Sequence, residues 1–441
     1  MNRLIQGLSL LAYQGILTLF GLVYLLVRLL RGRGLPGLKE RLAWYSSEQR
    51  RGLSSLKRPI WIHLVSVGEA LAARSLIEEL RRRFPEKDWV VTTVTPTGRE
   101  VARASLQNPK TQVLYLPWDF GPVVRRAIRW IQPSLFLCFE TELWPVLFRH
   151  LASANVPIAV VNGRISPAAY RRYLWIRPLM GWTLASVDLF LTQSPQDARR
   201  YAAIGAAKDR LIITGNVKWD IQLPTASDGA DPDRLRGLLA LAPRQVLWTA
   251  GSTHPGEERL LLQVYRRLKA QWPTLRLLVA PRHPERIAQV EQEAAEMGLQ
   301  VVRRSSLTNG SSVKGDEVVL LDTLGELAAF YRISDLVFVG GSLVPHGGHN
   351  LVEPAALARP ILTGPYLHNF QAVSDALSQP NGMLIVRSAE ELEQAIRRLL
   401  QDPAQALSLG RRAYAVFQEN QGATRRSADL ICLRWGSRLK G

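Results

Sequence analysis

The sequence predicts an α/β protein built from two doubly wound parallel sheets, and three observations support that prediction. Short apolar runs alternate with segments of helical spacing from Pro59 onward, the pattern of strand–helix–strand crossovers. The alternation stops at Leu223 to Pro232, LPTASDGADP, a linker-like stretch of Pro, Gly and small polar residues, and then restarts. An apolar run, Asp335 to Val339, leads into GGSLVPHGGHNLVEP at Gly340 to Pro354: strand, glycine loop and helix start in succession, which is how such sheets build a ligand site.

The chain opens on an uncharged, mostly apolar run of 24 residues, Leu4 to Val27. At a rise of ~1.5 Å per residue it would extend ~36 Å, enough to cross the hydrocarbon core. Arg28, Arg31, Arg33, Lys39 and Arg41 follow it and only Arg3 precedes it, so the bulk of the chain is expected on the cytoplasmic side. Gln6, Gln14 and several glycines weaken the run, and a helix lying in the membrane interface is the competing reading. Gly32 to Gly37 matches G-x-G-x-x-G but follows no strand, and Pro36 breaks the helix it should open, so it is set aside as a nucleotide loop.

In the first half, strands are expected at Trp61–Val65, Trp89–Val94, Val113–Leu116, Leu135–Phe139, Ile158–Val161 and Leu189–Thr192, with a helix over Ala70–Arg83. In the second half they are expected at Val246–Thr249, Leu275–Val279, Val318–Leu321, Leu336–Val339, Pro360–Leu362 and Leu384–Val386. Residues from Glu390 to Leu439 read as two or three closing helices, and Ser305 to Gly315 as a surface loop. The predicted organisation is a membrane anchor over 1–31, an N-terminal Rossmann-like domain over 32–222 and a C-terminal one over 233–441, the two facing a cleft.

Composition narrows the partners. With 441 residues and 47% apolar content the chain can fill two full cores. Its 56 basic against 37 acidic residues give a net charge of +19, which calls for a negatively charged partner: nucleic acid, an anionic membrane or a phosphorylated substrate. No zinc-finger spacing, RNP-like motif or helix-turn-helix signature is present, so nucleic acid is not expected. Two distant cysteines, Cys138 and Cys432, exclude a disulfide framework.

Ligands of open α/β sheets bind beyond the carboxyl ends of the strands, and the residues there are rich in chemistry. Glu69, after Ser66-Val67-Gly68 at a helix start, is placed to accept a proton from a hydroxyl, or is simply an acid in a first turn. Glu140 and Glu142 are two acids at one strand end, where like charges raise a pKa; the plain alternative is capping. Lys218, near the linker, could face the cleft or solvent. Arg282 in PRHPER follows a strand and can bind a phosphate or carboxylate through paired bonds, unless it pairs with Glu285. His254, His283, His346 and His349 lack the spacing of a metal cage, so no metal is expected. The start of a helix at Asn350 would offer N–H groups to a phosphate, with Pro354 in its opening turn.

Taken together, SVGE, ETELWP, NGRIS, GNVKWD, GSTHPGEE, PRHPER and GGSLVPHGGHNLVEPAA resemble, in order and rough spacing over nearly the whole chain, the bacterial 3-deoxy-D-manno-octulosonic acid (Kdo) transferases of lipid A synthesis. The resemblance implies a GT-B fold with an N-terminal membrane helix, CMP-Kdo as donor, and a tetraacylated, bis-phosphorylated disaccharide (lipid IVA) as acceptor at the cytoplasmic face of the inner membrane. It implies that Glu69 is the general base and that Glu140 and Lys218 support the transition state. Pro281, Arg282, Leu324, Gly325, Glu326, Asn350, Leu351, Val352 and Glu353 match the family's CMP-binding positions. It further implies inversion by direct displacement, without metal or cofactor, and anionic inner-membrane lipids as partners. NGRIS departs modestly from the family's N-A-R-[LI]-S. Another GT-B enzyme, a UDP-sugar transferase or epimerase, is the alternative, and a membrane-attached binding protein with a degenerate site is a third reading.

Overall fold

The computed structural model describes residues 13, 15, 36–106, 108–221, 223, 231–307, 313 and 316–440. The expected anchor therefore lies outside the described residues apart from Tyr13 and Gly15; among the described residues no helix is long and apolar enough to cross a membrane. Contacts divide the chain into two units, one running to Asp220 and resuming at Gln421, the other Ile221–Asn420.

The first unit is built on seven parallel strands: β1 Ile60–His63, β2 Trp89–Thr93, β3 Thr111–Tyr115, β4 Leu135–Phe139, β5 Ile158–Gly163, β6 Leu189–Thr192 and β7 Leu211–Ile213, in the order β3-β2-β1-β4-β5-β6-β7. Residues of one strand divide between two cores. Trp61, Phe136, Cys138 and Val160 point into one, while Ile60, Ile62, Leu135 and Leu137 point into the other. This is the consequence of apolar residues at both parities: both faces must be covered, and helices cover them.

The second unit repeats the plan with β8 Val246–Thr253, β9 Leu275–Pro281, β10 Val301–Arg303, β11 Val318–Leu320, β12 Leu336–Val339, β13 Ile361–Thr363 and β14 Leu384–Ile385, in the order β10-β11-β9-β8-β12-β13-β14. The predicted strands are all present, with ends shifted by a few residues. β7 and β10 are additions. Both lie at sheet edges, are largely uncovered and are only three residues long, Leu211–Ile213 and Val301–Arg303, too short to stand out as strands.

The closing segment differs from expectation in where it belongs. Three helices form, at Ala389–Gln401, Pro403–Asn420 and Ala423–Lys440, and the last returns to the first unit. Its Ala428, Ile431, Trp435 and Leu439 enter the core that holds Ala73, Leu76, Ile77 and Leu80 of the helix Val67–Arg83. Asp220 fixes the return: its carboxylate accepts from the Gly422 and Thr424 N–H groups at 2.6 and 2.5 Å, capping the helix start from the far end of the unit.

Candidate active site

The strand order switches direction between β1 and β4 in the first sheet and between β8 and β12 in the second, where β11 is also inserted between β10 and β9. Diverging crossovers leave a crevice at such a point, open at the carboxyl ends of the strands.

In the first unit the loop after β1 leads into the helix Val67–Arg83, capped by Ser66, whose hydroxyl accepts from the Glu69 N–H at 3.4 Å. Glu69 folds back over that turn, its Oε2 accepting from the Val65 N–H at 2.7 Å. Burial first, and then the like charge of Glu140, raise its pKa to about 8; the Val65 bond and Lys218 oppose them. A carboxylate so raised is a far stronger base than an ordinary glutamate, and it titrates in the range where a proton acceptor is useful.

Glu140 is the residue after β4. Its N–H continues the ladder to the Val161 carbonyl at 3.0 Å, yet its φ is +56°, a conformation costly for a residue with a side chain. The Tyr201 hydroxyl donates to its carbonyl at 3.0 Å and helps to hold it. The turn directs the carboxylate between two cations, with Arg164 Nε 3.0 Å from Oε2 and Lys218 Nζ 3.4 Å from Oε1. Lys218 rides on a single turn of 3₁₀ helix, Val217–Trp219, whose first N–H is bound at 3.1 Å by Oδ1 of Asn162. The four ionisable side chains thus come from the ends of β1, β4, β5 and β7. Glu142 sits beside them with its pKa raised by burial and by Glu140. The structure therefore brings Glu69, Glu140 and Lys218 together and adds Arg164, which the sequence reading quoted within NGRIS without a role; its position one residue past β5 was the available signal.

In the second unit the segments after β8, β9, β11 and β12 lie along one edge, because those strands are neighbours. Pro281 closes β9, and Arg282 donates its N–H to the Thr253 carbonyl at 2.9 Å. Its guanidinium is exposed and makes no ion pair among the described residues; His283 is the residue that pairs with Glu285. Leu324 is 81% exposed, Gly325 has a φ of +85°, and Glu326 is held by Arg304 at 2.7 Å and by the Thr323 hydroxyl.

The stretch Asn350–Glu353 differs from expectation. The helix begins at Val352 and ends at Ala356, a single turn, and the side chain of Asn350 already accepts the Val352 N–H at 3.0 Å. So short a helix sums few peptide dipoles, and its first amide is taken, so an anion here would depend on side chains and loop amides more than on the helix start. Asn350 also donates to Glu353 Oε1 at 3.0 Å, and burial raises the Glu353 pKa.

Two features of this edge were not assigned from sequence. Glu257, fully buried, accepts four backbone N–H groups. Oε2 takes His254 and Gly341 at 2.9 and 2.7 Å, and Oε1 takes Ser342 and Leu343 at 2.9 Å each. One carboxylate thereby joins the loops after β8 and β12. Gly340 and Gly341 fit against it because a Cβ on Gly340 would come within 2.7 Å of the Ser252 carbonyl, and Gly341 has a φ of +64°. The second feature is a histidine stack. His254 Nε2 lies 2.8 Å from His349 Nε2, with the His346 ring stacked on His254 at 4.1 Å. Burial, reinforced by neighbouring histidines and by Arg282, lowers both His254 and His349 to about 4, so the pair is neutral at pH 7 and shares one proton. No group of three or more His, Cys, Asp or Glu among the described residues is arranged to hold a metal ion.

Comparison with known proteins bears on this geometry. Residues 36–221 match the family model described as 3-Deoxy-D-manno-octulosonic-acid transferase (kdotransferase). The chain is 37% identical to the 3-deoxy-D-manno-octulosonic acid transferase of Haemophilus influenzae over 401 residues, 89% of this chain and 90% of that protein. It is 32% identical to the protein of the same name from Bordetella pertussis over 392 residues, 86% and 88% of the two. Among solved structures, a UDP-N-acetylglucosamine 2-epimerase is similar in fold, with a TM-score of 0.56 at 14% identity over 87% of this chain and 97% of that one.

Proposed function

From the premise that this chain belongs to the Kdo transferase family and is a glycosyltransferase, we propose that it moves Kdo from CMP-Kdo to the tetraacylated, bis-phosphorylated lipid A precursor at the cytoplasmic face of the inner membrane. The observation that supports this most directly is Glu69, a base raised to about 8 beside the Glu140–Lys218–Arg164 ion group. In the proposed step Glu69 takes the proton of the acceptor hydroxyl as its oxygen bonds to the anomeric carbon of Kdo. The bond from that carbon to the phosphate oxygen breaks, and CMP leaves with the electron pair. Attack opposite the leaving group inverts the centre. Glu140 fixes Lys218 and raises the basicity of Glu69.

On the donor side the candidates are Pro281, Arg282, the turn Leu324–Glu326 and the segment Asn350–Glu353. Arg282→Ala is expected to raise the KM for CMP-Kdo about 10- to 100-fold, the scale of a lost charge-assisted bond. Its kcat at saturating donor should change much less, and an unchanged KM would remove Arg282 from the donor site.

Glu140 and Lys218 should also move the pH profile in opposite directions. Below about pH 8 Glu69 is increasingly protonated and kcat/KM should fall with pH. Glu140→Gln removes a like charge and should shift that limb to lower pH; Lys218→Met removes an opposing cation and should shift it upward. Identical limbs in all three proteins would dissociate the limb from Glu69.

The deciding experiment is mass spectrometry of the product formed from CMP-Kdo, generated in situ, and the lipid A precursor, with wild type beside Glu69→Ala. Addition of Kdo by wild type alone, with the mass increment counting the units, is the expected result. No product with either folded protein in detergent, followed by turnover of a UDP-sugar, would overturn the reading.

A further inference from the structure

The histidines at the carboxyl ends of β8, β9 and β12 form one cluster, and the transfer step proposed above uses none of them. His254 follows β8, His283 follows β9, and His346 and His349 lie in the loop after β12. His254 Nε2 and His349 Nε2 are 2.8 Å apart, with the two rings within 5° of parallel. The His346 ring stacks on His254 at 4.1 Å, and the His283 ring meets it edge-on at 5.8 Å. His254 is buried and His349 half-buried, while His346 and His283 are exposed, so the cluster opens from the loop floor to solvent. A Cβ on Gly341 would lie 2.8 Å from His349 Cδ2 and 3.3 Å from His254 Cδ2, so the backbone there leaves room for the paired rings and little else.

A bond between two imidazole nitrogens fixes the proton count. One ring donates its Nε2–H and the other accepts at a bare Nε2. The donating ring then has a bare Nδ1, and the accepting ring carries its own proton on Nδ1. Among the described residues neither Nδ1 has a hydrogen-bond partner. One further proton can enter at the donating ring's Nδ1 and leave the 2.8 Å bond intact, as an imidazolium donating to an imidazole. A second would set two N–H groups against each other.

What the cluster lacks is negative charge. Arg282, Arg286, His283 and His346 face the pair. The carboxylates on the same segments are committed elsewhere: Glu257 to four backbone N–H groups, Glu258 to Arg286 and the Thr253 hydroxyl, Glu285 to His283 and Glu353 to Asn350. Burial and the surrounding cations hold both histidines at about 4. Such a pair stays neutral until an anion arrives, and the exposed guanidinium of Arg282 is the group placed to receive one.

We propose that the His254–His349 pair is a charge-responsive part of the donor's phosphate site, neutral when the site is empty and taking up one proton from solvent as a phosphate seats beside Arg282. This rests on the CMP-Kdo reading above. The donor's phosphate is a diester with one negative charge, and cleavage leaves CMP with a second. The protonated pair would therefore attract the phosphate most strongly as the bond to Kdo breaks, while the acceptor's proton remains on Glu69.

Calorimetric titration of the full chain in detergent with CMP at pH 6.5, repeated in buffers of different ionisation enthalpy, counts the protons. A site built on arginine alone favours the CMP dianion over the monoanion, which titrates at about 6, and so releases protons. A dianion beside the pair should carry it from about 4 to roughly 6–7, so wild type is expected to show net uptake. His349→Gln retains an amide near Nε2 but cannot titrate. It should turn uptake into release, and the ratio of its Kd to that of wild type should grow roughly 5- to 20-fold between pH 7.5 and pH 5.5. His346→Gln should keep the uptake. Proton release by wild type, or uptake that survives in His349→Gln, overturns the inference and leaves the donor reading standing. The wild-type sign decides even where a variant fails to fold. Folded wild type that does not bind CMP at all would instead overturn the donor reading, and this inference with it.

Discussion

Glu69→Gln should lower kcat by about 10²- to 10⁴-fold, the usual worth of a positioned general base, while leaving the fold intact. The amide oxygen of glutamine can still accept the Val65 N–H, so the turn after β1 keeps its bond. The effect on stability has a sign that a structural role alone would not give. Because the folded pKa of Glu69 is raised from 4.5 to about 8, the ionised form is disfavoured by folding. Its contribution is present below the unfolded pKa and is lost as pH rises through about 8. Glutamine cannot ionise, so the difference in Tm between Glu69→Gln and wild type should become more positive from pH 5 to pH 9. Activity lost together with a Tm that falls at every pH would show Glu69 to be structural.

Glu257→Gln should be the most damaging single substitution in the second unit. Each carboxylate oxygen accepts two backbone N–H groups, from His254, Gly341, Ser342 and Leu343, so an amide must turn its NH₂ toward one of those pairs. Two buried N–H groups orphaned at about 1–3 kcal/mol each give a loss of about 2–6 kcal/mol, comparable with the whole stability of many domains. The expected outcome is an early melting transition and loss of CMP binding by calorimetry, with Glu69 and its surroundings untouched. Wild-type melting in Glu257→Gln would mean that the loops after β8 and β12 hold their shape without the carboxylate.

These two residues mark the boundary of what sequence reasoning reached. Glu69 was legible because its signal is local: a glycine and an acid directly after an apolar strand define a first helical turn, and the parallel sheet puts that turn at the crevice. Glu257 stood in plain view within GSTHPGEE, but its partners Gly341, Ser342 and Leu343 are more than eighty residues away, and no local pattern pairs an acid with distant amides. The Asn350 helix was expected from the succession of strand, glycine loop and helix start; the Asn350 side chain does cap it, but the helix is a single turn, Val352–Ala356, with Ala358 just beyond it at a φ of +54°.

By itself the sequence determined the two-sheet architecture, the strands at the centre of each sheet and the residues at their carboxyl ends, because burial on both faces writes continuous apolar runs and turn residues into the chain. Tertiary structure alone decided which charges meet. The left-handed turn at Glu140 aims one carboxylate at both Arg164 and Lys218, burial and Glu140 together raise Glu69, and Asp220 draws the last helix back to the first unit. Electrostatics and capping act through space, between groups that the chain separates by tens to hundreds of residues, and a linear pattern holds no record of those distances.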